Sequence, residues 1–185
     1  VETAPFYILS TFVITYVTKT LELPKNVVLT AITWATITCI FMIPIMGLVA
    51  DRVGRRRMYG WGAFILMLYA FPYFALLNTR DPVWISVATV VGLGIIWTPI
   101  TAVLGTLSAE IFDPEVRYTG VTLGYQAGAA LAGGTAPLIA TMLMLNYGGS
   151  YIPVAIYFMI TCVISLITIN SVSGHKSQME SRSLA

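Results

Sequence analysis

Glu2, Tyr125 and Gln126 are hydrogen-bonding side chains set in apolar stretches, and Asp51, Arg52, Arg55, Arg56 and Arg57 form a dense charged run between two others. The first group suits binding of a proton, a cation or a polar solute where water is scarce, because an unpaired carboxyl, hydroxyl or amide in hydrocarbon costs free energy until something pairs it. The second suits ion pairs that form and break. Neither offers covalent catalysis. The sole histidine, His175, follows the last apolar segment, and no G-x-S-x-G or H-E-x-x-H spacing occurs. Cys39 and Cys162 lack C-x-x-C spacing and read as small packing residues. A membrane enzyme or a metal centre therefore lacks its parts.

The segments that must position these residues follow from composition. Of 185 residues, 57% are hydrophobic and only 10% charged, and the mean hydropathy is +0.83. That excludes a water-soluble domain. Apolar stretches at about 27–50, 58–77, 83–107, 119–145 and 151–172 each reach the roughly 20 residues that a bilayer crossing requires. Residues 1–18 make a sixth. That first stretch carries Glu2 and has neither a basic leader nor a cleavage site, so it reads as a helix cut into by the start of the chain and not as a signal peptide. The expected fold is an all-α membrane bundle of six helices over 1–172, with a polar, disordered tail over 173–185.

Charge fixes the orientation. Arg52, Arg55, Arg56, Arg57, Arg117, Lys176 and Arg182 fall on one side of the spans and Lys19, Lys25 and Arg80 on the other. Seven against three places both ends of the bundle in the cytoplasm. The net charge of +2 is thus topological and implies no nucleic-acid partner. Short, turn-rich connections at Leu23–Asn26, Asn78–Pro82 and Asn146–Ser150 make consecutive helices antiparallel neighbours.

Within the spans, Gly94, Thr98, Thr101, Gly105 and Ser108 recur every three or four residues and should form one polar stripe, with Trp97 and Pro99 beside it. Such a stripe either lines an aqueous path or bonds its own helix's carbonyls. Thr30 and Trp34 are further cavity candidates in the second span. Gly120, Gly124, Gly128 and Ala132 recur every four residues, giving a smooth face against which another helix can pack and slide. Gly133, Gly134 and Pro137 follow and weaken helical bonding near the bilayer centre, as a hinge or as a site of static tight packing. Gln126 is the first choice for a substrate contact. Glu2 binds a proton or a cation if it lies inside the membrane. Eighteen residues span only about 27 Å, however, which leaves it near the inner interface.

The loop Gly47, Asp51, Arg52, Gly54, Arg55, Arg56 resembles the G-x-x-x-D-R-x-G-R-R signature of the major facilitator superfamily, which recurs between its eighth and ninth helices. Glu110 through Gly120 looks like the loop after that superfamily's tenth helix, with its acidic residue, arginine and glycine. Val116–Gly120, followed by Gly124, Tyr125, Gln126, Ala132–Gly134 and Pro137, is similar to the metabolite:proton symporter family. That family carries organic acids, shikimate-like compounds, proline and betaines.

The resemblance implies that this chain supplies helices seven to twelve of twelve, with the first six as its missing partner. It further implies an inner-membrane location, a small-molecule substrate, and a proton as coupling ion with no other cofactor. On this reading Gly47 allows a close helix approach, and Asp51 accepts from a neighbouring helix N-terminus. Arg55 and Arg56 pair with Glu110 beside Arg117, making a latch that opens during transport. Tyr69, Tyr73 and Tyr157 fall on helices that the family places at the periphery. No Lys or Arg lies inside a span, so the counter-ion for an anionic substrate is expected in the first six helices. The alternatives are a facilitator for sugars or other substrates, and a non-transporting receptor or scaffold on the same fold.

Overall fold

The computed structural model describes the backbone of residues 2–111 and 117–183, and the side chains of residues 2–109 and 118–171. Among the described residues every regular element is helical. Six helical rods follow one another: α1 (3–20), α2 (Lys25–Val53), α3 (Arg55–Leu77), α4 (82–111), α5 (117–146) and α6 (Ile152–Ser183). Five helices are long and apolar enough to cross a membrane, over Lys25–Val53, Arg55–Leu77, Pro82–Ala109, Tyr118–Asn146 and Ile152–Ser171. Each coincides with an expected span to within a few residues, because the loop charges that delimit the spans cannot enter hydrocarbon. The last helix continues as far as Ser183, beyond the expected end at residue 172.

Three of the rods are not uniform α-helix. π-helical turns interrupt α1 at Ile8–Phe12 and Tyr16–Thr20, α4 at Val90–Ile96, and α5 at Ala129–Gly133. By contrast, α2, α3 and α6 are regular throughout, despite Pro44 within α2 and Pro72 within α3. The expected break at Gly133–Pro137 is present. Gly134 N–H donates to the Ala129 carbonyl at 2.9 Å, and the helix restarts at Ala136 with Pro137 in its first turn.

The core is built on α1, whose Ile8, Leu9, Phe12, Val13, Tyr16 and Val17 are all buried. Far from the basic loop, Phe74 of α3 gathers an aromatic cluster. Its ring lies 5.7 Å from Tyr16, 5.2 Å from Tyr73 and 5.9 Å, stacked, from Tyr151. Tyr73 thus belongs to the core.

Glycines set the main helix contacts, and these mostly join helices that are not consecutive in sequence. A methyl group at Gly94 of α4 would lie 3.2 Å from the Ala35 carbonyl oxygen and 3.0 Å from Thr38 Cβ of α2. One at Gly62 of α3 would lie 3.2 Å from Pro99 Cβ of α4. Thus α2 packs chiefly on α4, and α3 on α6 and α4. Consecutive helices are antiparallel, but they are not the principal packing partners.

The turns carry local chemistry that ends each rod. Asp81 caps α4 by accepting from Val83 N–H at 2.8 Å, with Pro82 at the first helical position. Gly148 and Gly149, at φ +63° and +82°, turn the chain from α5 to α6. Gly54 alone joins α2 to α3 at φ +100° and ψ 124°, a region open essentially to glycine. Its N–H closes α2 on Ala50 at 2.8 Å, and its carbonyl accepts from Met58 at 3.0 Å to open α3. Gly54→Ala should therefore cost about 1–3 kcal/mol through backbone strain alone. Thermal unfolding of the detergent-purified protein would show it as a lowered midpoint, and an unchanged midpoint would contradict a strained link.

Candidate functional site

Glu2 is the focus of the polar interior. It stands on the first turn of α1, only 9% exposed, with its Oε1 accepting from the Thr101 hydroxyl of α4 at 2.9 Å. The indole N–H of Trp97 donates to the Glu2 backbone carbonyl at 3.4 Å. Phe6, one turn along α1, packs its ring 5.0 Å from that indole. The carboxylate's other oxygen, Oε2, is buried and has no hydrogen-bond partner among the described residues. Thr101 and Trp97 thus join α1 to α4 around an acid that is only half satisfied.

Beside Glu2 lies a cavity of about 260 Å³. α3 contributes Tyr59, whose hydroxyl is 2.6 Å from that of Ser165 on α6. α4 contributes Leu104, Leu107 and Ser108, and α5 contributes Gly120, Gly124, Tyr125 and Gly128. Among the described residues no lysine, arginine or histidine lines it. The walls are mostly apolar, with hydroxyls and one carboxyl at defined points, which is the usual make-up of a small-molecule site. No group of three or more His, Cys, Asp or Glu that could hold a metal occurs among the described residues.

The polar stripe expected on α4 divides. Thr101 and Ser108 serve the cavity, whereas Gly94 is pressed against α2 and Thr98 is fully buried, its hydroxyl donating to Ile95 O at 2.8 Å. The π turn at Val90–Ile96 is the reason, since i→i+5 bonding rotates the residues before it relative to those after it. Thr98 and Trp97 therefore do not line the cavity, although Trp97 braces it. Thr30 and Trp34 lie exposed on α2, away from the cavity, with Trp34 58% exposed. Gln126 is exposed and likewise outside the lining, while its neighbour Tyr125 is part of it.

The small-residue face of α5 also differs from a simple sliding surface. A methyl group at Gly124 or Gly128 would meet nothing within 4 Å among the described residues, so this part of the face borders open space. Close packing begins one π turn later. There a methyl group at Gly133 would lie 2.9 Å from Thr3 Cβ and 3.0 Å from the Tyr7 ring of α1. Tyr59 and Ser165 were missed by sequence reasoning. The signal that singled out Gln126, a polar residue within an apolar span, applies equally to both.

At the cytoplasmic end, Asp51 pairs with Arg55 one turn later, across the Gly54 link, at 3.2 Å. Arg56 donates to the carbonyls of Ile169 and of Asn170 on α6, the latter at 3.0 Å. It is therefore bonded to helix backbone and not to the expected carboxylate. Arg52 is exposed, and a methyl group at Gly47 would meet no described atom within 4 Å, so no close helix approach occurs there. The side chains of Glu110 and Arg117 lie outside the described residues.

The glycine geometry gives a direct comparison. Gly128→Ala should leave stability unchanged or slightly raised, because the site is open and alanine is the better helix former by about 1 kcal/mol. Gly133→Ala should cost about 1–3 kcal/mol by overpacking α5 against α1. Parallel thermal melts of the two variants would decide, and equal midpoints would remove the proposed contact.

Comparison with known proteins agrees with this architecture. The family description "Major Facilitator Superfamily" matches residues 2–175. The shikimate transporter of Escherichia coli (strain K12) is 33% identical over 168 residues, covering 90% of this chain and 38% of that protein. The inner membrane metabolite transport protein YhjE of the same strain is 34% identical over 148 residues, covering 77% of this chain and 33% of that protein. The citrate-proton symporter of Klebsiella pneumoniae is 26% identical over 147 residues, covering 80% and 33% respectively. This chain spans about a third of the length of the curated relatives it matches. No solved structure matches it. With a family match that runs through all six helices, and relatives that align from the first helix to the last, this multi-pass membrane chain belongs to the Major Facilitator Superfamily.

Proposed function

We propose that this chain is the C-terminal six-helix half of a twelve-helix secondary transporter in a bacterial inner membrane. The transporter moves a small organic acid or zwitterion together with a proton, by alternating access. The observation that carries this reading is the polar-pointed cavity among α1, α3, α4, α5 and α6, built inside membrane-length helices. Relatives named for shikimate transport, for inner-membrane metabolite transport and for citrate–proton symport support the substrate class and the coupling ion.

Three of the helices that border the cavity, α1, α4 and α5, carry the π turns. Such turns interrupt the i→i+4 ladder and often mark functional sites. They supply the local adjustment that a change of access requires. The remaining helices are regular and suit a supporting role. The lining holds no described cationic side chain, so an anionic substrate takes its counter-charge from the first six helices.

Asp51 and Arg55 are the visible half of the cytoplasmic latch, with Glu110 and Arg117 as its other half. Both described partners are substantially exposed, so their pairing alone is worth little. Its value lies in breaking at low cost.

The test uses the whole transporter that contains this chain, purified into proteoliposomes. Uptake of labelled organic acids, shikimate, proline and betaine is followed with and without an inward proton gradient. Gradient-stimulated uptake of one class is expected; neither uptake nor counterflow of any of them, from verified folded protein, would overturn the reading. In the same assay Asp51→Asn should reduce turnover by about tenfold, equivalent to about 1.4 kcal/mol in the barrier, with a much smaller change in substrate affinity. Unchanged turnover at normal expression would dismiss the latch.

A further inference from the structure

Glu2 is 9% exposed and its Oε2 is buried without a partner, although the residue borders the cavity. Its one side-chain hydrogen bond, from Thr101 to Oε1, is neutral. An ionised carboxylate held this way lacks a counter-charge, and a buried charge in a membrane must be paired or neutralised.

Three kinds of group could complete it. A metal ion would need further ligands, and among the described residues no cluster of three or more His, Cys, Asp or Glu provides them. An organic cation would have to touch Oε2, which offers it essentially no open surface. A proton needs neither ligands nor room, and the adjoining cavity is large enough to bring water to the carboxyl. Resting on the transport reading above, we propose that Glu2 is the group that carries the coupled proton. Oε2 takes the proton from cavity water, forming one O–H bond and passing from carboxylate to neutral carboxyl, and returns it to water when access changes sides.

The surroundings fit that task. The titratable groups facing Glu2 among the described residues are Tyr59 on α3 and Tyr125 on α5. Thr101 and Trp97 face it from α4, and Ser165 and Thr168 from α6. None of these is a cation that would hold the carboxylate permanently ionised. The turn bearing Glu2 is also gripped one residue later, where Thr3 meets Gly133 without room for a methyl group. A shift of α5 along α1 therefore reaches Glu2 directly and alters how well Oε2 is sealed.

The experiment compares the whole transporter and its Glu2→Gln variant in proteoliposomes, using whichever labelled substrate the wild type takes up. Glu2→Gln should lose gradient-driven accumulation and substrate-linked proton uptake, while substrate exchange persists and becomes independent of pH. Gradient-driven accumulation by Glu2→Gln would overturn the assignment and leave the transport reading intact. A wild type that transports without any response to the gradient would overturn both. If Glu2→Gln does not reach the membrane, Thr101→Val decides. It should shift the pH profile of uptake, since the hydroxyl acts through Glu2, and an unmoved profile would count against the proposal.

Discussion

Inside a bilayer every backbone N–H and C=O must find its partner within the protein, and this requirement orders the whole molecule. It permits only helices here, confines charge to the short connections, and makes each departure from regular helix conspicuous. The π turns of α1, α4 and α5 and the break after Gly133 satisfy it locally, as when Gly134 N–H finds the Ala129 carbonyl. Arg56 meets it differently, giving its guanidinium to carbonyls of α6. The same scarcity of partners makes the bare oxygen of Glu2 the most demanding atom in the interior.

The spans were legible in the sequence because their limits are set by charge, and charge needs no tertiary information to be read. The Arg55–Arg57 run announces the start of α3, and Asp81–Pro82 announces the start of α4. The cavity was only partly legible. Glu2, Thr101 and Tyr125 stood out as polar residues in apolar surroundings, and the structure brings all three to one place. Thr98 and Gly94 failed because a stripe drawn at 3.6 residues per turn does not survive a π turn. The same register change explains why Gly124 and Gly128 look onto open space while Gly133 is clamped to α1. Tyr59 and Ser165 pair across two helices distant in sequence, a juxtaposition that no local pattern encodes.

The charged loop shows the converse. Its sequence pattern is dense enough to carry a family resemblance, yet the contacts it makes in this structure are modest: one exposed ion pair and a guanidinium on helix carbonyls. Interactions of that strength suit a connection that holds and releases. A deeply buried ion pair would be costly to separate, because breaking it strands a charge. The weakness of the Asp51–Arg55 pair is thus compatible with the role its spacing suggests.

The single-residue link at Gly54 gives the bundle an uneven stiffness. With one residue between them, α2 and α3 cannot turn independently, and Arg56 fastens the start of α3 to α6. These three regular helices behave as a stator. The three interrupted helices, α1, α4 and α5, form the compliant part, and the Glu2 carboxyl is held between two of them. Any load on the bundle is therefore shed into the helices around that carboxyl, so its electrostatic state and the shape of the assembly move along a single mechanical coordinate.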